Sequence, residues 1–350
     1  MSEAPTAVPE AAPAPEVVVT GAAGWLGQNL VRALVGRRQR VRCLVHRAED
    51  GPLLQLLGRE VQIVVGDVRD PSAVSRLFDG VGAATVFHAA SVIHPAGKVR
   101  ELFDVNVGGT EIVLDRARRS GARRFLHVSS NSPFGANEAP TARFTEESPF
   151  DPYLGYGRSK LEAEQVVQRG HDRGDVPAVI LRPPWFYGPH QPARQSTFFA
   201  AIRKGRFPVV GDGAQQRSMV FTGNLVDALL AAEVAPAAPG QAYWVADARP
   251  YELREIVATV RRALEEEGLS VSGRGLRLPA LAGKVAAGID AGLQAQGRYV
   301  QPLHVLGELK DTIACDIAKA RRELGWEPAT ELLGGMRASI RWCLDRGIQL

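Results

Sequence analysis

Tyr156 and Lys160, in the run Tyr156-Gly157-Arg158-Ser159-Lys160, are the residues whose types and spacing bear most directly on chemistry. Residues four apart on a helix share a face, so a phenol and an ammonium stand side by side. The cation favours phenolate and is expected to lower the tyrosine pKa towards working pH. A tyrosine tuned this way gives a proton to a ketone or takes one from an alcohol. Upstream, Thr20-Gly21-Ala22-Ala23-Gly24-Trp25-Leu26-Gly27 follows Val17-Val18-Val19 and opens a helical pattern. Gly21, Gly24 and Gly27 allow a tight turn and the close approach of a pyrophosphate, which free N–H groups at the helix start would hold. The two motifs together describe a nicotinamide-dependent oxidoreductase or a close mechanistic relative.

The second strand ends in Val45-His46-Arg47 with no acid at its tip; Glu49 and Asp50 come a little later. An acid at that tip would bind a ribose diol, whereas His46 and Arg47 suit a 2′-phosphate. NADP(H) is therefore favoured, NAD(H) stays open, and the bland alternative is that both residues are simply solvated. Asp67, in Gly66-Asp67-Val68-Arg69-Asp70, is placed to accept from an adenine amino group; an aspartate here also suits the cap of a helix starting near Pro71-Ser72.

These residues need a scaffold that sets them at one edge. β-Branched runs at 17–19, 41–45, 61–65, 85–87, 125–128 and 178–181 read as strands, with helical patterns between them, notably around Glu101–Ser120 and Leu154–Arg169. That alternation predicts an α/β fold: a doubly wound parallel Rossmann sheet binding its ligand at the strands' carboxyl ends. The expected organisation is an Ala/Pro-rich disordered tail over 1–15 and a dinucleotide-binding domain over 16–188. A mainly substrate-binding lobe over 189–350, with segments returning to the sheet, completes it. In that lobe helices are expected at Asn224–Val234 and Tyr251–Gly268, and the mildly apolar stretch Leu276–Leu309 is expected to pack as helices, the alternative being that it lies against a lipophilic surface.

The 350 residues, 45% hydrophobic and 23% charged, suffice for a large soluble core. A net charge of +4 points weakly to an anionic partner. The densest basic cluster, Arg116 to Arg124, suits a helix C-terminus rather than nucleic acid, so a small-molecule substrate and no nucleic acid are expected. Cys43, Cys315 and Cys343 have neither metal nor disulfide spacing; no metal and a reducing, cytoplasmic setting are expected. No apolar run approaches the roughly 18 residues of a spanning helix, and the N-terminus lacks a secretory pattern.

In order, Thr20-Gly21-x-x-Gly24-x-x-Gly27, Gly66-Asp67, His88-Ala89-Ala90, Asn106-Val107-x-Gly109-Thr110, Val128-Ser129-Ser130, Tyr156-x-x-x-Lys160 and Leu181-Arg182-Pro183 carry a resemblance. From about Val17 onward the chain resembles the extended short-chain dehydrogenase/reductases, of the epimerase/dehydratase type and near their 3β-hydroxysteroid dehydrogenase-like branch. The resemblance implies that Tyr156 is the general acid/base and that Lys160 binds the nicotinamide ribose. It implies that Ser130 orients the substrate oxygen, with Ser129 and Ser132 as alternatives. It also implies that Asn106 supports the active-site helix, that Ala89 and Ala90 line the cofactor channel, and that Pro183 lies against the nicotinamide. Ala23, Trp25, Leu26 and Val68 belong to the implied cofactor contacts, and a homodimer through the 101–120 and 154–169 helices is expected.

Three features choose among the family's reactions. Trp185 stands where nucleotide-sugar enzymes place a phosphate-contacting asparagine, and an indole suits an apolar substrate. Ser130-Asn131-Ser132 lacks the Asp-Glu pair of the dehydratases. Residues Pro279–Val305 resemble a lipophilic cap. Against these, Gly211 to Arg217 resembles the loop whose arginine binds a sugar-nucleotide diphosphate. The expectation is hydride transfer between NADP(H) and a ketone or secondary alcohol on a fairly apolar substrate, touched by Ser132, Trp185 and Arg217. The alternatives are a nucleotide-sugar epimerase with tightly bound NAD, and a non-catalytic NADP-binding regulator, against which the Ser130, Tyr156 and Lys160 set speaks.

Overall fold

A computed structural model describes residues 16–350; the tail expected over 1–15 lies outside the described residues. All six apolar runs form strands: β1 (Val17–Thr20), β2 (Val41–Val45), β3 (Val61–Val65), β4 (Thr85–His88), β5 (Arg124–Val128) and β6 (Ala178–Arg182). A seventh, β7 (Ala242–Trp244), was not foreseen as a strand. The sheet order is β7-β6-β5-β4-β1-β2-β3, with every pairing parallel. β1 is buried along its whole length, as a central parallel strand covered on both faces must be. Its side chains divide by the period of two: Val17 and Val19 enter one core and Val18 the other.

After β3 the chain crosses to β4 on the other side of β1, so the direction of winding reverses between β1 and β4. A cleft opens at the carboxyl ends of strands at such a reversal. The expected 101–120 helix is present but interrupted. Residues Arg100–Phe103 are α-helical, Asp104–Gly108 form a π turn, and Gly109–Arg119 resume the α-helix. The active-site helix runs Leu154–Asp172, three residues past the expected end. In the lobe, Thr222–Val234 and Leu253–Glu266 are helices, and Tyr251–Glu252 is instead a short strand antiparallel to Gln216–Arg217.

A third core, around Tyr187, Phe199, Ile256, Val260, Met336 and Ile340, binds the lobe's helices together. The 276–309 stretch does form helices, Ala280–Ala295 and Gln301–Glu308, packed on each other as a cap. Leu281, Val285 and Ile289 of the cap remain exposed. Among the described residues no helix is long and apolar enough to cross a membrane, no metal-binding cluster occurs, and the three cysteines are buried and unpaired.

Candidate active site

The glycine turn is built by close contact. Gly21 has φ of +68°, and a Cβ there would stand 2.6 Å from the Ala90 nitrogen. A Cβ on Gly27 would stand 2.1 Å from the Gly21 carbonyl oxygen. Both positions therefore exclude a side chain. Gly24 caps the helix α1 (Trp25–Gly36), and no side chain bonds its N-terminus. The first-turn N–H groups are left for a ligand, and their dipole favours an anion. This cradle fits a dinucleotide pyrophosphate.

The cleft beside it is lined by Gly21, Ala23, Gly24, His46, Arg47, Asp67, Val68 and Ala90, all expected there. Asp50, Arg69 and Glu101, which were not expected, line it too. Arg69 grips both Asp67 oxygens, its Nε donating to Oδ1 at 3.0 Å and its Nη2 to Oδ2 at 2.6 Å, and these hydrogen bonds hold that carboxyl below the usual range. The helix cap is Asp70, which accepts from the Ser72 N–H at 2.8 Å, so Asp67 is the cleft residue of the two. His46 is largely exposed, with Nδ1 3.6 Å from Asp67.

Two expected cofactor contacts are placed differently. The Leu26 side chain goes into the core, leaving its backbone at the cradle. Trp25 turns to a second cavity, where its Nε1 donates to the carbonyls of Gly188 at 3.1 Å and Pro189 at 3.0 Å and its ring packs 4.9 Å from Phe186. Ala89 lies beneath Gly21.

The second cavity, about 310 Å³, brings together Ser130, Ser132, Tyr156, Pro183, Trp185 and Arg217, residues drawn from four separate stretches of chain. Its other walls are largely apolar: Ile93, Phe186, Phe198, Phe207, Leu309 and Ile313. Gly157 lets the active-site helix press on the serine loop, because a Cβ there would lie 2.5 Å from the Ser132 carbonyl oxygen. The Ser130 hydroxyl lies 3.2 Å from that of Ser132 and accepts from the Ser132 N–H at 3.3 Å.

The electrostatics correct one expectation. Lys160 is buried, and its Nζ donates to the Val128 carbonyl at 2.8 Å. Burial lowers its pKa to about 8, with Glu164 pulling the other way. Burial pushes the Tyr156 phenol up to about 12, opposed by the Ser130 hydroxyl and the Arg194 charge. The phenol is thus raised, not lowered, in the protein alone: desolvation outweighs every nearby cation, and the ammonium is engaged by a carbonyl. Beneath it, His88 bonds Thr20 at 2.7 Å and Thr110 at 2.9 Å, and burial holds it down to about 3, so it adds no charge.

Asn106 lies in the π turn. Its Nδ2 donates to the Val92 carbonyl at 2.9 Å and to Ser159 at 3.0 Å, while its Oδ1 accepts from the Val92 N–H at 2.8 Å. These bonds tie the loop after β4 to the active-site helix, which is a positioning role. Arg217 is buried on the cavity wall; it donates to the Glu308 carbonyl, and its Nε has no partner among the described residues.

Sequence reasoning missed His94, Arg194, His304 and Glu308, which also line this cavity. The His304 Nδ1 stands 2.8 Å from a carboxylate oxygen of Asp290, which is wholly buried. No spacing signals that pair; only the folding of one cap helix on the other joins them.

A family model described as the NAD dependent epimerase/dehydratase family matches residues 17–246. The uncharacterized protein y4nL of Sinorhizobium fredii is 41% identical, over 95% of this chain and 96% of its own. A 4-hydroxy-2-methyl-3-oxo-4-farnesyl-3,4-dihydroquinoline-1-oxide ketoreductase of Stigmatella aurantiaca is 32% identical, over 88% and 90%. A 3 beta-hydroxysteroid dehydrogenase/Delta 5→4-isomerase of Mycobacterium tuberculosis is 30% identical, over 89% and 86%. In fold, the chain is similar to the dTDP-glucose 4,6-dehydratase DesIV of Streptomyces venezuelae with NAD and TYD bound. The TM-score is 0.75 at 22% identity, over 95% of this chain and 98% of that one.

Proposed function

The chain belongs to the NAD dependent epimerase/dehydratase family of extended short-chain dehydrogenase/reductases, and on that premise we propose that it is an NADP(H)-dependent oxidoreductase of a ketone or secondary alcohol on an apolar substrate. The observation that carries this reading is the setting of Ser130 and Tyr156 in a cavity walled mainly by aromatic and aliphatic side chains. Two relatives named as a ketoreductase and a hydroxysteroid dehydrogenase support it.

A nicotinamide dinucleotide held at the Gly21–Gly27 turn, with Asp67 and Ala90 on the walls of its cleft, would supply or accept the hydride at the substrate carbon. Ser130 donates a hydrogen bond to the substrate oxygen, and Tyr156 gives that oxygen a proton in reduction and takes it back in oxidation. Burial keeps the phenol protonated, the form that gives its proton in reduction. Tyr156→Phe should lower kcat by about 10²- to 10⁴-fold with NADPH affinity unchanged. Near-full turnover in that variant would end the mechanism.

The NADP preference rests on His46 and Arg47 at the end of β2, joined in the cleft by Arg69. Replacing His46 and Arg47 by serine should raise the KM for NADPH well above that for NADH. Equal rises for the two cofactors would remove the preference.

A second reading, nucleotide-sugar epimerisation, is favoured by one observation: the buried Arg217 carries an unpartnered Nε on the cavity wall. Denaturing the purified protein separates the two. Release of stoichiometric NAD supports the epimerase, since that reaction regenerates its cofactor within each turnover; reversible uptake of NADPH supports the reductase.

A further inference from the structure

The cap places a preorganised imidazole in the cavity. His304 sits on the helix Gln301–Glu308, is 4% exposed, and lines the same cavity as Ser130 and Tyr156. Its Nδ1 lies 2.8 Å from Oδ2 of Asp290, which is 0% exposed on the helix Ala280–Ala295. A buried carboxylate accepts the Nδ1 proton, which sets the ring's orientation and leaves Nε2 as its free polar atom.

The Asp290 carboxylate is held in turn. Gln294 Nε2 donates to both its oxygens at 3.1 Å, and Gln294 Oε1 accepts from the Gly155 N–H at 3.1 Å. Gly155 is the residue before Tyr156, so the dyad is braced against the active-site helix itself. The rings of Tyr153 and Tyr299 lie 5.2 and 5.3 Å from the imidazole. Nε2, by contrast, has no hydrogen-bond partner among the described residues; Glu308 Oε1 stands 3.9 Å from it, also on the cavity wall. An orientation fixed by a buried acid, a glutamine and two tyrosines, with the remaining nitrogen left unsatisfied beside the cavity, is a prepared hydrogen-bonding site.

We propose that His304, oriented by Asp290, is a specificity-determining residue whose Nε2 hydrogen-bonds a second oxygen function of the substrate, apart from the carbonyl at Ser130 and Tyr156. With the ring proton on Nδ1, Nε2 is an acceptor, so the substrate class is bifunctional: an apolar frame bearing the reacting carbonyl or hydroxyl and a second hydroxyl that donates to Nε2. This rests on the reading of the cavity as the substrate pocket. A buried polar group left unpaired penalises an analogue lacking its partner, so the second oxygen is a selection device as well as an anchor.

The test uses nonan-2-one and its 5-, 6-, 7- and 8-hydroxy derivatives, with the matching diones, which carry no donor for Nε2 and should show no favoured spacing, as a second arm. Affinity is read on the NADP⁺-loaded protein from quenching of Trp25 and Trp185, which both line the cavity, so the readout does not need turnover. At one spacing the hydroxyketone should bind about 10- to 100-fold more tightly than nonan-2-one. His304→Phe should bring that ratio close to one, His304→Gln should restore part of it through its amide, and Asp290→Asn should reduce it. No favoured spacing in the wild type, or a ratio unchanged in His304→Phe, overturns the proposal. Reduction of nonan-2-one by NADPH is followed separately: turnover without a preference sinks this inference alone, and preference without turnover sinks the reductase reading alone.

Discussion

Lys160 is a cation 1% exposed whose Nζ finds a carbonyl oxygen instead of a carboxylate. Its folded pKa of about 8 lies below the ordinary 10.5. Between those values the unfolded chain holds a proton that the folded chain has lost, so this residue makes stability rise with pH across that window. Below about 8 both states are protonated, and the penalty of charging a buried ammonium is present in full. Lys160→Met should abolish the effect. The stability gap between variant and wild type, from urea midpoints, should favour the variant most at pH 7 and narrow towards pH 10. A gap constant with pH would mean that the lysine titrates normally. Cys43 and Cys315, pushed up to about 12 by burial, act in the opposite sense, but they are common to both proteins and cancel in the comparison.

At the scale of elements, the glycine turn and α1 behave as one part. Gly27→Ala would place a Cβ 2.7 Å from Ala22 Cα and closer still to the Gly21 carbonyl, so the turn must open. NADPH affinity should fall at least about tenfold, the share of one well-made contact to phosphate; unchanged affinity in a fluorescence titration would show that the cradle is not where the pyrophosphate lies. This motif was legible because its demand is local: a few bonds of backbone decide it. The Tyr156–Lys160 spacing was legible for the same reason. The sense of the tyrosine's shift was not, because it depends on Val128 and on burial, both supplied by distant chain. β7 escaped notice because Ala242-Tyr243-Trp244 has no β-branched residue, and its strand character comes from pairing with Ile180, Leu181 and Arg182. His304 and Asp290 escaped because fourteen residues and a turn separate two single polar side chains.

Across the whole molecule, the sheet and the lobe are interleaved rather than stacked. The nucleotide cradle comes from the first strands, the catalytic pair from the middle of the chain, and the cavity's far wall from the cap near its end. A buried ion pair, Arg182 Nη2 to Glu164 Oε2 at 2.7 Å, joins the end of β6 to the active-site helix, and the Arg182 guanidinium lies 4.7 Å from the centre of the Phe134 ring. Removing one partner of such a pair strands a charge in the core, so the join is sensitive to loss of either side.

The late arrival of β7 has a consequence for biosynthesis. As the chain leaves the ribosome, β1 to β6 are complete some sixty residues before Ala242–Trp244 exists. Until then β6 is an edge strand with open N–H and C=O groups, and its apolar residues lack a neighbour on that side. The nascent protein passes through a stage in which its nucleotide-binding half is nearly built yet adhesive, a stage at which a holding chaperone has most to protect.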